Sequence, residues 1–329
     1  MLPPSKTSCD ATIRIGRRNW LLTAGMGAVA GLGLPGLTTA GTAPAGTRKA
    51  VIAFWLSGGP SHIDMWDPKP DAPSEIRSPF ATISTSVPGV QFTEHLPLQA
   101  SIANKLSVLR AVDCSASNHT PITMQACNPL ARRTDDGRDG DGYPSLGSVA
   151  AKFRGANHPD LPAFVGLAPS WKADVWGAGH LGHTYEPAQG LELTGRFAFP
   201  EGVTAPRLSD RALLRQEFDR LRGDLDRGDV MGRMGEHARQ SYEMVAAGTV
   251  QRTFDVASES DAMRDRYGRN SVGEKALLAR RLVEAGVTYV HVSGAWGYFD
   301  HHGDSVKWGG IEKGLKPALP DIDRALYAL

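Results

Sequence analysis

A chain of 329 residues is long enough for one large domain or two medium ones, and its core is too big to depend on disulfide staples. Hydrophobic residues at 41% and charged residues at 22% are ordinary for a folded globule and exclude both a disordered tail and a membrane bundle. Lys plus Arg number 36 against 35 Asp plus Glu, so no positive excess is available to displace counterions, and nucleic acid is not an expected partner.

In chain order, Lys6, Arg14, Arg17 and Arg18 precede a mildly apolar, glycine-rich run from Trp20 to Leu37, and small residues follow to Ala45. This is the tripartite plan of an export signal over residues 1–45, ahead of a mature domain over 46–329, with a retained N-terminal anchor helix as the alternative. The sequence Arg17-Arg18-Asn19-Trp20-Leu21 resembles a twin-arginine signal. It implies the twin-arginine export machinery as a partner and the periplasm or cell surface as the destination. Cys114 and Cys127 of the mature chain fit neither a zinc ribbon nor a redox pair, which leaves one disulfide or two buried thiols.

The apolar run Ala50–Leu56 stops at Ser57-Gly58-Gly59-Pro60 and reads as a first, central strand buried on both faces. Six prolines between Pro68 and Pro97 predict a long surface excursion without a long helix. Leu98–Leu106 predicts a helix and Ser107–Val112 a second, parallel strand. Arg132–Gly142 is charged and glycine-rich, a loop. Tyr143–Phe153 predicts a helix, Ala163–Leu167 a strand, and the aperiodic stretch Trp171–Pro206 an insertion or lid. Leu214, Phe218, Leu221 and Leu225 fall on one helical face. Ser271 with Glu274 is a capping-box start, Gly286 a left-handed stop, and Val287–Ser293 a strand. Pro320–Leu329 predicts an amphipathic helix.

In an open α/β sheet, ligands sit off the carboxyl ends of the strands. Beyond the first strand, Ser61, His62 and Asp64 offer oxygen and imidazole donors to a cation; a turn with Asp64 as a helix cap and His62 in solvent uses the same residues. Beyond the second, Ser115, Ser117, His119, Thr120 and Thr123 crowd hydroxyls around one imidazole, as an activated nucleophile requires, although a helix cap reads equally well. Beyond the last, Asp300-His301-His302-Gly303-Asp304 carries the most specific metal pattern, Asp300 oxygen with His302 nitrogen suiting zinc, manganese or iron. A surface cluster without metal is the alternative, and His180 and His183 read as incidental.

Trp55-Leu56-Ser57-Gly58-Gly59-Pro60-Ser61-His62-Ile63-Asp64, Asp67-Pro68-Lys69-Pro70, Glu94-His95-Leu96-Pro97, Tyr143-Pro144-Ser145-Leu146-Gly147-Ser148, Arg264-Asp265-Arg266-Tyr267-Gly268 and Asp300-His301-His302-Gly303-Asp304 succeed one another in an order that resembles the DUF1501 proteins. The resemblance implies an α/β fold, a three-layer αβα sandwich of the alkaline phosphatase-like type, and an exported metal-dependent hydrolase of phosphate or sulfate esters. It implies a divalent metal, zinc or manganese, near Asp64, His62, Asp300 and His302. It also implies a nucleophile region at His119 and Thr120, a substrate contact at Ser61, and a small-molecule or polysaccharide ester as substrate. The family's Glu-Phe-Gly-Arg and later Asp-His segments do not occur in these residues. The domain is therefore expected to be incomplete at its C-terminus, an inactive fragment. An exported binding or scaffold protein that keeps the fold is the alternative.

Overall fold

The computed structural model describes residues 49–112, 124–128, 142–159, 161–169, 174–191, 249–294, 298–302 and 309–329. In chain order these carry β1 (Val51–Trp55), β2 (Thr82–Ser84), β3 (Gln91–Thr93), α1 (Pro97–Ser101), α2 (Leu146–Arg154), β4 (Phe164–Leu167) and β5 (Ala188–Gln189). After them come α3 (Thr249–Phe254), α4 (Asp261–Tyr267), α5 (Ser271–Ala285), β6 (Tyr289–Ser293) and α6 (Lys316–Ala328). The protein is mixed α/β, with a parallel sheet in the order β1-β6-β4-β5 and a separate antiparallel hairpin of β2 and β3.

Strand β6 is buried at all five positions because it pairs with β1 on one side and β4 on the other. Its side chains alternate between two faces. Val290 and Val292, with Val165 and Leu167, pack on Leu278, Ala279 and Leu282 of α5, while Tyr289 and Phe164 turn the other way onto Ala150 and Ala151 of α2. Helices therefore cover both faces, as the parallel pairing requires. Helix α5 starts at Asn270, whose side chain accepts from the backbone N–H groups of Val272 and Gly273, and ends at Gly286 with φ +119°. The cap is thus Asn270, one residue before Ser271, because its short amide reaches both orphan N–H groups.

A second core lies beside the sheet. Met65, Phe80, Phe92 and Leu96 pack against Leu315, Leu319 and Ile322 at the start and middle of α6. The proline-rich stretch is therefore no mere surface excursion: the β2–β3 hairpin folds its aromatic residues inward. Two further expectations are corrected. Strand β1 is terminal rather than central among the described strands and only half-buried, with Val51 49% exposed, since β6 is its one partner there. Ser107–Val112 forms no strand: among the described residues no strand pairs with it, and Leu109 and Val112 are exposed. Cys127 is a free, exposed thiol, neither buried nor in a disulfide. The export signal, the Leu214 helix and nearly all of the Arg132–Gly142 loop lie outside the described residues.

Candidate functional site

Parallel strands deliver their carboxyl ends to one edge, so the segments leaving β1 and β6 meet there. The turn after β1 closes with the Gly59 N–H donating to the Leu56 carbonyl at 3.0 Å, and Gly58 (φ +98°) and Gly59 (φ +76°) take left-handed conformations. The segment after β6 returns over this turn: the Phe299 N–H donates to the Ser57 carbonyl at 2.8 Å. A Cβ at Gly58 would run into the backbone of Asp300, so glycine is required there for approach as well as for φ.

This return places Asp300 on the turn and sets its Oδ1 3.0 Å from Nε2 of His302, which is exposed. His301 is buried, its ring edge-on to Phe299 at 6.3 Å. Of the two adjacent histidines, His302 is thus the one beside Asp300. Ser61, His62 and Asp64 lie on a short 3-10 turn. His62 is exposed, Ser61 is half-buried, and Asp64 is buried with Oδ1 accepting from the Ser78 hydroxyl at 2.5 Å. The Asp64 carbonyl also accepts from Thr93 Oγ1 at 3.0 Å, so this residue ties the turn to the hairpin rather than capping a helix. His119, Thr120 and Asp304 lie outside the described residues. Among the described residues no three His, Cys, Asp or Glu side chains gather closely enough to hold a metal ion.

Apart from Asp67, which lies in the Asp67-Pro68-Lys69-Pro70 segment, the further polar residues form no motif in the sequence. Asp67 is buried and meets Lys69 at 2.7 Å and Arg110 at 3.3 Å, which pins the irregular 107–112 segment to the turn. His291 is buried in β6 with its ring hydrogen-bonded to the Asp174 backbone, and burial pushes its pKa down to about 4, so it is neutral near pH 7. Lys275 of α5 donates from Nζ to the Ser293 carbonyl at 2.7 Å. Burial lowers the pKa of its ammonium, while the buried Asp174 carboxylate opposes that shift. The Asp174 backbone is itself held by Gln125 Nε2, 2.8 Å from its carbonyl. A period-2 pattern in β6 is the one local signal for His291. Asp174 and Lys275 are brought to it by tertiary packing.

The family described as "Protein of unknown function (DUF1501)" matches residues 48–329. The chain belongs to the DUF1501 family. Within this DUF1501 chain the match spans β1, the hairpin, α5, β6 and α6, every element that positions the edge. No curated protein and no solved structure matches it.

For a divalent metal the described residues of this DUF1501 chain fit in part. Asp300 Oδ1 and His302 Nε2, 3.0 Å apart, have the oxygen and nitrogen chemistry and the spacing of two neighbouring ligands on one zinc or manganese ion. A protein centre of that kind takes about three ligands, and a third is not among the described residues.

Proposed function

We propose that this DUF1501 protein is an exported hydrolase of phosphate or sulfate esters, built on an alkaline phosphatase-like αβα sandwich. The observation that carries the reading is the convergence of Ser57–Gly59 and Asp300–His302 at the carboxyl edge of a parallel sheet, where a bound ester would meet close-lying backbone and a carboxylate–imidazole pair. Asp300 and His302 would hold the divalent cation, which when bound supplies charge stabilisation to an ester oxygen. In this reading His119 and Thr120 supply base and hydroxyl nucleophile, and Ser61, half-buried beside the turn, contacts the substrate. Asp64 keeps the first turn in place through Ser78 and Thr93.

Assay of the purified protein with aryl phosphates and aryl sulfates, with and without zinc and manganese, tests the proposal. Metal-dependent turnover that falls about a hundredfold or more in Asp300→Asn supports it. An inert but folded protein under every metal supports instead an exported scaffold. Export itself rests on Arg17 and Arg18. Replacing both with Lys should leave the protein in the cytoplasm at unchanged expression, as fractionation would show; unaltered export would contradict the twin-arginine route. Among the described residues no helix is long and apolar enough to cross a membrane.

A further inference from the structure

Helix α2 carries its large apolar side chains on the side away from the sheet. Its inward positions, Gly147, Ser148 and Ala151, are buried, and helical spacing puts Leu146, Val149 and Phe153 on the opposite side. Phe153 is 76% exposed and Leu146 57%, with Val149 half-buried between them. This orientation is fixed from below. A Cβ at Gly147 would stand 2.6 Å from the Phe164 ring, so the helix sits directly on that ring and cannot roll to bury Phe153. Its ends are local, with the Ser145 hydroxyl accepting from the Ser148 N–H at 3.2 Å and Gly155 at φ +65° closing it. One exposed Leu or Phe is ordinary, but an outward apolar stripe over a face of small residues is not.

The stripe is flanked by cations. Lys152 falls on one side of it and Arg154 on the other, both exposed, and the helix holds no Asp or Glu. Lys152 Nζ lies 5.9 Å from the centroid of the Phe153 ring and 5.8 Å from that of Tyr185. The 3-10 turns Gly179–Leu181 and His183–Tyr185 pack against the helix and add the exposed His180 and His183. Against these stands the carboxylate of Glu186, at the end of the second turn, which accepts from the Ala178 N–H at 3.1 Å. From this arrangement we propose that the outer face of α2 docks on an anionic phospholipid surface, Leu146 and Phe153 entering the acyl boundary and Lys152 and Arg154 lying at the level of the phosphates. The match is one of charge and area. An apolar strip between cations complements a surface that is apolar below and negative at its rim. A stable protein interface takes about 800 Å² per partner, more than three side chains on two helical turns supply, whereas interfacial attachment needs only a few inserted side chains and charge.

The attachment requires neither turnover nor metal, so it stands or falls apart from the hydrolase reading. The test is sedimentation of the full chain with vesicles of equal parts phosphatidylcholine and phosphatidylglycerol, and with phosphatidylcholine alone. The expected result is saturable binding to the anionic vesicles that weakens with salt. Affinity should fall about tenfold in Phe153→Ser and about fivefold in Lys152→Gln, and stay within about twofold in Phe153→Leu, which keeps the apolar surface. Thermal melts matching the parent show that each variant is folded, and Leu146→Ser takes the place of Phe153→Ser should that one fail. Four results overturn the proposal: equal affinity for phosphatidylcholine alone; anionic binding that none of these variants weakens, which would belong to the run Trp20–Leu37; binding to soluble polyglutamate but not to vesicles, the mark of an acidic protein partner; or a dimer in light scattering that Phe153→Ser makes monomeric, which would give the face to a second copy.

Discussion

His291 shows what burial does to one side chain. Its folded-state pKa, near 4, lies below the ordinary 6.5, so the native state takes up fewer protons than the unfolded chain between those values. Stability contributed by the neutral ring is complete above about pH 6.5 and lost as pH falls toward 4, an amplitude on the order of 3 kcal/mol. Among the described residues, Asp174 and Lys275 are charged groups near it, and burial shifts the Lys275 ammonium downward while Asp174 opposes that shift. Urea midpoints measured from pH 4 to 8 should therefore fall on the acid side, and His291→Gln should flatten that fall. Equal acid loss in both proteins would contradict the assignment. Asp323 acts in the opposite sense. Burial raises its carboxyl pKa despite two backbone N–H partners, so its contribution declines as pH rises through the raised value, and the comparison of the two His291 forms cancels it.

At the scale of elements, α1 illustrates a cap taken from a distant helix. The residue before it, Leu96, has no side chain able to satisfy the first N–H groups, and Asp323 of α6 does so instead, accepting from Leu98 N at 2.9 Å and Gln99 N at 2.8 Å. Asp323→Ala strands one buried and one part-buried donor and is expected to cost about 2–3 kcal/mol in chemical denaturation, with Asp323→Asn losing less because one acceptor remains. Equal stability of the Ala variant would show that water replaces the cap. Helix α5 differs: its start at Asn270 and its stop at Gly286 are local, so the sequence displayed the helix to within one residue. The expectation for Ser107–Val112 failed for the opposite reason. A strand needs a neighbour for its backbone, and β-propensity in six residues does not supply one.

For the whole molecule, two hydrophobic cores are joined where Tyr267 of α4 and Ala276 and Leu277 of α5 meet Ala325 and Ala328 of α6. Leu282 is fully buried in the sheet core and Leu319 in the hairpin core. Because the cores share this seam, Leu282→Ala and Leu319→Ala should each lower one common thermal transition, by about 2–5 kcal/mol. Calorimetry that resolved two transitions, each moved by one variant alone, would show that the cores unfold independently.

The sequence by itself determined the α/β class, β1, β4, α5 and β6, and the family, because those signals are local: periodicity, a left-handed glycine, and apolar runs that end at turns. It also marked Asp300 and His302, since both sit in one short motif. Tertiary structure alone decided that β1 ends the described sheet, that Asp323 caps α1, and that Asp64 binds Ser78. It alone brought Trp55, His291 and Ser293 to one face and Asp174 and Lys275 to the same edge. These are pairings across tens to hundreds of residues. Their energies come from desolvation and from which strand lies beside which, quantities that no window of sequence contains.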